Sequence, residues 1–298
     1  MKEVIPFLLY GKGLLVELKK IGKVRTADTY RNALGSFERF LNDQADIPLE
    51  AMDSNLMIAY ESWLKGTGIC PNTSSYYMRN LRAIYNRAVE QGFVTQQNPF
   101  KHVYTGIDKT KKRAVSLDVI REIRDLKLTK KITGLRRDIF LFSFYTRGMS
   151  FVDMAFLKKQ DLQNGILAYR RNKTGQQLFI KREKTMQELI DKYDTFDTPY
   201  LLPVIRNNGV DEWHQYQNAA HRINRNLKQI GKQIGLDIPL TTYVARHAWA
   251  SIAQSKNVPL SVISKALGHN SEQTTRIYLS SLDTSVVDKA NNLILMSI

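Results

Sequence analysis

The 298-residue sequence holds a single cysteine, Cys70. A lone thiol excludes a disulfide within the chain and any cysteine-based metal cluster. Histidine is scarce too: of the five, His102, His214 and His221 show no metal-ligand spacing and take no role. Long apolar runs are missing. The stretch 139–145 is far too short to span a bilayer, which takes about 20 residues. The opening MKEVIPFLLYGKG lacks both the apolar length and the small-residue cleavage pattern of a signal peptide. There are no internal repeats and no low-complexity tracts. Acidic residues are in deficit: 28 Asp and Glu stand against 44 Lys and Arg, a net charge of +16 with pI near 9.8. A surplus of that size points to a polyanion such as nucleic acid. The expected setting is cytoplasmic and nucleic-acid-associated, with no membrane.

What is present divides in two. The length allows one large domain or two ordinary ones, and a hydrophobic share of 43% is ample for a core. Through Asp108 the chain carries 13 Lys and Arg against 11 Asp and Glu; the remainder carries 31 against 17. The first third has helical periodicity. Residues 7–20 alternate apolar and basic side chains, with Gly11 and Gly13 weakening the early part. Thr26 or Asp28 can cap a second helix whose Tyr30, Ala33, Leu34, Phe37, Phe40 and Leu41 share one face. Asp53 or Ser54 opens a third. Asn72 or Thr73 opens a fourth, which Gly92 closes, with Leu81, Ile84, Tyr85 and Ala88 in its buried stripe. Four such helices make a small bundle. The fourth also carries Thr73, Ser74, Arg79 and Arg82, which suit phosphate or base-edge contacts or, equally, a solvated face. Asn98-Pro99 ends the helical region. Lys109 to Arg113, including Lys111, Lys112 and Arg113, is a basic stretch without apolar period. It is a linker, running near a nucleic-acid backbone or simply solvated. The expected domains are 1–105, a linker at 106–114, and 115–298, where Ser116 caps the first helix.

The second domain is predicted to be mainly α with a small antiparallel sheet. A buried helix at 139–145 runs into Arg147-Gly148. A guanidinium at the end of a buried helix calls for an anionic partner, either a structural carboxylate, with Asp153 as candidate, or a bound phosphate. Asn164-Gly165 is a hairpin turn signal. Strands are expected at 166–169 and 177–180, joined by the basic turn 170–175 that carries Lys173. Arg222, Arg225, Lys228 and Lys232 line a later basic helix, facing nucleic acid or solvent. From Thr241 to Asp283 three short helices follow. The first starts at Thr241 or Thr242; the second runs from Pro259 to Gly268; the third is capped by Ser271 and passes Tyr278. Tyr243, Arg246 and His247 fall on one helix face by spacing. Tight connections can bring Arg246, His269 and Tyr278 around one point. That set suits a phosphodiester: a planar fork of donors, a further donor, and an oxygen nucleophile. Taken singly, each has an ordinary reading: packing for the Tyr, a surface or satisfied core residue for the His, a solvated face for the Arg. The apolar tail at 293–298 wants a pocket.

Arg246-His247, then Leu267-Gly268-His269, then eight residues and Tyr278: in type, order and spacing this resembles the C-terminal signature of the tyrosine recombinase (phage integrase) family. The resemblance implies an N-terminal helical core-binding (SAM-like) bundle and a C-terminal mixed α/β catalytic domain. It makes Arg147 the first catalytic arginine, with Asp153 as buttress. Lys173, followed by Thr174-Gly175, becomes the general acid, a mobile lysine on the hairpin; Arg170 and Arg171 are poor rivals, since a guanidinium does not readily give up a proton. One position departs from the family, Tyr243, which stands where a His is usual; a phenol with a pKa of about 10 is a poor base near neutrality. The implied reaction is metal-free transesterification. Tyr278 forms a 3′-phosphotyrosyl link and frees a 5′-hydroxyl, Arg147 and Arg246 neutralise the nonbridging oxygens, and His269 donates a further hydrogen bond. His247 braces Arg246 or assists proton transfer. No metal and no nucleotide cofactor take part. The implied partner is double-stranded DNA with a specific inverted-repeat core site, met by a monomer or dimer that forms a homotetramer in the synaptic complex. The tail would then dock on a neighbouring subunit, or in cis on its own core. A type IB topoisomerase-like relaxing enzyme and a catalytically impaired DNA-binding protein of the same fold are the alternatives. Because the chain begins almost at the bundle, an invertase, a simple recombinase or an integrase without its arm-binding domain is expected.

Overall fold

The first helices form where the apolar 3-4 stripe can be buried, and their ends are set by which residues can satisfy backbone donors. The computed structural model describes residues 4–42, 46–108, 114–279 and 295–296, with the side chains of Ile277 and Tyr278 outside the described residues. The chain divides into two units, Met1–Thr110 and Lys111–Ile298.

In the first unit, helices α1 (Phe7–Lys20), α2 (Val24–Leu41), α3 (Ser54–Gly66) and α4 (Pro71–Glu90) form the bundle. Helix α1 follows Pro6, whose side chain cannot cap. Asp46, far along the chain, accepts instead from the amides of Leu8 and Leu9 at 2.9 and 2.8 Å. Helix α2 begins at Val24, ahead of Thr26 and Asp28, because burying Ala27 extends the apolar stripe by a turn. Asp53 caps α3 by accepting from the Leu56 amide at 2.8 Å. Helix α4 starts at Pro71, not at Asn72 or Thr73. Proline fits the first helical position, where no amide donor is needed. The core is aromatic: Phe37 meets Phe7 and Tyr60 edge-on at 5.8 and 5.1 Å, and the Tyr60 hydroxyl donates to Ser36 Oγ at 2.7 Å. Each such side chain withdrawn from water contributes about 1.5–3 kcal/mol.

The second unit contains α5 (Leu117–Asp125), α6 (Lys131–Tyr145), α7 (Phe151–Ala155), the sheet strands β1 (Leu162–Gln163), β2 (Ile166–Arg170) and β3 (Gln177–Lys181), then α8 (Lys184–Asp191), α9 (Glu212–Gln233), α10 (Thr242–Ser255), α11 (Leu260–Leu267) and α12 (Glu272–Leu279). Ser116 caps α5 through the Val119 amide. Four consecutive apolar residues of α6, Ile139 to Phe142, are buried. A helix apolar on all sides must be surrounded, and α6 packs against α5, α8, α9 and α10. Its one buried acid, Asp138, accepts from Arg137 Nε, Lys192 Nζ and the Tyr193 hydroxyl at 2.8, 2.6 and 2.6 Å. The sheet is antiparallel in the order β1-β2-β3, with Ala168 opposite Phe179 and Arg170 opposite Gln177. Asn164 and Gly165 both have positive φ, 50° and 75°, as a two-residue hairpin of the twisted kind requires. Leu167, Tyr169 and Ile180 face the core while Ile166 and Phe179 face out. Among the described residues no helix is long and apolar enough to cross a membrane.

Candidate active site

Two helix ends supply the first groups. At the end of α6, the Gly148 amide donates to Ser143 O at 2.7 Å and the Arg147 amide to Phe144 O at 3.2 Å. This is a Schellman stop, in which the residue just past the helix adopts the left-handed conformation and is usually glycine. Here it is Arg147, at φ 60°. The conformation costs a non-glycine residue about 1–2 kcal/mol. The half-buried Arg147 side chain donates from Nη1 to Phe179 O at 3.3 Å. Gly148 follows at φ 74°, and a Cβ there would lie 2.8 Å from Arg246 Cα. The end of α6 and the middle of α10 therefore touch backbone to backbone.

Arg246 is 3% exposed. Its Nη1 donates to Gly148 O at 2.7 Å, its Nη2 to Leu267 O at 2.6 Å, and Nη2 lies 3.1 Å from His269 Nε2. His269 hangs from a second Schellman stop, with Gly268 at φ 62° and the His269 amide on Ser264 O at 3.0 Å. Its Nδ1 lies 2.8 Å from Oγ1 of Thr275, which is fully buried on α12. Burial first, then the charges of Arg246, Arg171 and Lys173, lower the His269 pKa from 6.5 to about 4. The ring is therefore neutral near pH 7. A guanidinium can only donate, so Nε2 accepts from Arg246 and Nδ1 donates to Thr275. In this arrangement His269 accepts; it gains a donor toward phosphate only with a second proton.

The β2–β3 turn comes up against the same helix end. Lys173 is exposed on it. Asn172 donates its amide to Asp153 Oδ1 at 2.8 Å, while Oδ2 accepts from Ser150 Oγ at 2.6 Å. Both oxygens of Asp153 are thus engaged, and the structural alternative of an Arg147–Asp153 ion pair is not what forms. Half-buried Arg147 reaches solvent, so it needs no such partner. Thr174 Oγ1 donates to Gly268 O at 3.2 Å and Gln176 Nε2 to His269 O at 3.2 Å. Arg171, set aside on sequence, is buried and donates from Nη1 to Gly268 O. Nothing local marks that role; the contact joins residues 97 positions apart.

Other expected residues are placed differently. Tyr243 is 54% exposed and meets the His247 ring edge-on at 4.6 Å, whereas Arg246 turns inward. The backbone of Tyr278 lies in the last turn of α12, but its side chain is outside the described residues. So are Lys111, Lys112, Arg113 and, Leu295 and Met296 excepted, the apolar tail. In the first unit, Ser74 is buried and cannot reach a phosphate. Thr73 Oγ1 pairs with Cys70 Sγ at 3.2 Å, Arg79 donates to Gly106 O at 3.3 Å, and Arg82 is exposed. Among the described residues no group of three or more His, Cys, Asp or Glu side chains could hold a metal ion.

Comparison with known proteins follows the same division. Residues 6–109 match the model of the phage integrase SAM-like domain, and residues 117–285 that of the phage integrase family. Tyrosine recombinase XerD of Listeria innocua is 23% identical over 282 residues, covering 93% of this chain and 92% of that protein. XerD of Rhizobium meliloti is 25% identical over 288 residues, 88% of each. Among solved structures, a lambda integrase dimer bound to a COC′ core site gives a TM-score of 0.70 at 16% identity, over 94% of this chain and 79% of that one. A lambda integrase tetramer bound to a Holliday junction gives 0.67 at 16%, over 93% and 78%. XerH site-specific recombinase bound to difH substrate gives 0.63 at 18%, over 93% and 83%. At these identities the structural likeness speaks for the fold.

Proposed function

This chain belongs to the phage integrase family and is a site-specific DNA recombinase, an enzyme that cleaves and rejoins DNA strands; on that premise we propose that Tyr278 is its nucleophile and that Arg147, Lys173, Arg246 and His269 form the site in which it acts. The Tyr278 oxygen attacks a backbone phosphorus. The bond to the 5′-oxygen breaks, and a 3′-phosphotyrosyl ester replaces the phosphodiester. Lys173 passes a proton from Nζ to the departing 5′-oxygen. Arg147 and Arg246 hold the two nonbridging oxygens, where charge collects. A phosphate oxygen that takes over the Arg246 Nη2 hydrogen bond releases the Nε2 lone pair of His269. The phosphate charge also offsets the surrounding cations. Neutral His269 then accepts the tyrosyl proton and, once charged, holds the phosphate as a donor. Attack by a 5′-hydroxyl of another strand reverses each transfer and rejoins the DNA. One ester replaces another, so no nucleotide cofactor is consumed.

The observation that carries this reading is the buried Arg246 guanidinium, bonded at once to the ends of α6 and α11 and to His269. A double-stranded site with inverted half-sites, bound by four copies in synapsis, is part of the same proposal, in keeping with the lambda integrase tetramer on a Holliday junction. The DNA-relaxing and catalytically impaired alternatives are not favoured. The test uses nicked duplexes from a random-sequence pool, incubated with the full chain in excess EDTA and resolved under denaturing conditions. The wild type forms a covalent protein–DNA adduct; Tyr278→Phe binds DNA and forms none. An adduct with Tyr278→Phe, or strict dependence on added magnesium, overturns the assignment.

A further inference from the structure

We propose that Arg171 is a positioning residue for strand cleavage: its buried guanidinium latches the β2–β3 turn to the Gly268-His269 turn, which its own backbone bonds and Arg246 already hold, so that Lys173 is kept in place against it. The inference rests on the general-acid role proposed for Lys173. Turns between strands commonly face water, and this one carries three consecutive polar residues after a basic pair. Yet Arg171 is 7% exposed and donates to Gly268 O. Thr174 donates to the same oxygen and Gln176 to the next carbonyl, His269 O. A carbonyl has two lone pairs, so Gly268 O can serve both donors. On the other side, Asp153 takes the Asn172 amide. The residues immediately before and after Lys173 are therefore each fixed, Asn172 to α7 and Thr174 to the α11 stop. This leaves the lysine stem free to reach while its Cα is held. The resemblance implies a mobile lysine on this hairpin; the bonds of the turn hold its backbone on either side of Lys173 and leave the side chain exposed.

Two further features single out Arg171 among the three donors. Its Nε has no hydrogen-bond partner among the described residues. Burying a guanidinium with an unmet donor is expensive, and an apolar side chain could fill the same space. What the cation supplies against that cost is the Nη1 hydrogen bond to Gly268 O. Gly268 is fitted to it: a Cβ there would lie 3.0 Å from both Arg171 Cδ and Leu178 Cδ1, at a positive φ. The turn bearing His269 is shaped to receive the arginine stem. The Arg171 charge also helps keep the His269 imidazole neutral, after burial and Arg246.

The test compares oxygen and sulfur leaving groups. A duplex recovered by covalent capture with the wild-type chain is resynthesised with either the natural 5′-oxygen or a 5′-bridging sulfur at the cleaved phosphate. A thiolate, whose acid has a pKa of about 8.5, leaves without needing a proton. On the oxygen substrate, Arg171→Ala is expected to slow cleavage about a hundredfold, the cost of misplacing a reacting group by roughly 1 Å. On the sulfur substrate it recovers the wild-type rate, as Lys173→Ala does. The double variant is no slower than Lys173→Ala alone. If Arg171→Ala stays slow on sulfur while Lys173→Ala recovers, the latch is wrong and the general acid stands. If Lys173→Ala itself stays slow on sulfur, the general-acid reading fails and the latch with it. Should Arg171→Ala not fold, Arg171→Lys keeps the charge and one donor, and the same sulfur-dependent recovery is expected from a smaller defect.

Discussion

Among the glycines of the catalytic unit, Gly148 leaves the least room for a side chain. Any side chain there meets Arg246, its backbone Cα at 2.8 Å and its side-chain Cγ at 2.9 Å, and must also adopt φ 74°. Gly148→Ala is therefore expected to destabilise the protein by about 1–3 kcal/mol through strain alone. It should also slow cleavage about a hundredfold as α10 gives way and carries Arg246 with it. Denaturant titration and single-turnover cleavage check the two effects; an unchanged rate would mean that the close approach does not set the position of Arg246. His269 offers a second measurement. Its pKa is held at about 4, against an ordinary 6.5, by burial and three cations. Between those values the unfolded chain binds a proton that the folded chain does not. The stability tied to His269 is thus complete above pH 6.5, falls as pH drops toward 4, and flattens below that. An imidazole NMR titration should find the midpoint near 4 in the free protein and higher with DNA bound. A midpoint at the ordinary value would remove the proposed neutral acceptor. At this scale, the spacing of Arg246, Leu267-Gly268-His269 and Tyr278 was legible because it lies within one short stretch of chain. Thr275 and Arg171 were not, since their importance arises from contacts that only the fold creates.

The elements that position these residues are short, and their ends matter more than their middles. Arg147 and His269 each sit at a Schellman stop, so each leaves its helix at a fixed angle set by backbone bonds. The hairpin is aimed through Asp153. Asp153→Ala removes the acceptor of the Asn172 amide and the Ser150 hydroxyl, at a cost of about 1–3 kcal/mol for donors left unmet. Faster amide exchange across residues 171–176 and slower cleavage should follow. Asp153→Asn keeps an acceptor for the amide and should stay close to wild type in both. If Asn were as damaging as Ala, the carboxylate would act by charge and not by holding the turn. Helix existence was legible from apolar periodicity, and so was the hairpin from Asn164-Gly165. Helix starts were less so. Val24 opens α2 without any capping side chain, and the cap of α1 comes from Asp46, outside the helix altogether. The two-residue strand β1 is too short to carry an alternation of its own.

For the molecule as a whole, the charge is lopsided. The part through Asp108 is nearly balanced, and the remainder holds 31 Lys and Arg against 17 Asp and Glu. The paired and the unpaired charges differ in kind. In the first unit Lys12 meets Glu38 at 2.8 Å. In the second, Arg136 on α6 lies close enough to Arg225 and Arg222 on α9 that, after burial, their charges lower its pKa. No carboxylate pairs with any of these three among the described residues. Like charges brought together without an acid repel, and a polyanion relieves that repulsion. DNA affinity is therefore expected to fall linearly with the logarithm of salt concentration, by about 0.9 in slope for each phosphate neutralised. On duplex DNA of unrelated sequence, where only the backbone is read, Arg222→Gln with Arg225→Gln should lower that slope by about 2. Lys12→Gln, which removes a charge already paired with Glu38, should leave it unchanged. Equal slopes for all three proteins would place the α9 arginines off the DNA, as a solvated face. A loss of slope with Lys12→Gln would mean that the balanced unit contributes more of the phosphate grip than its net charge implies.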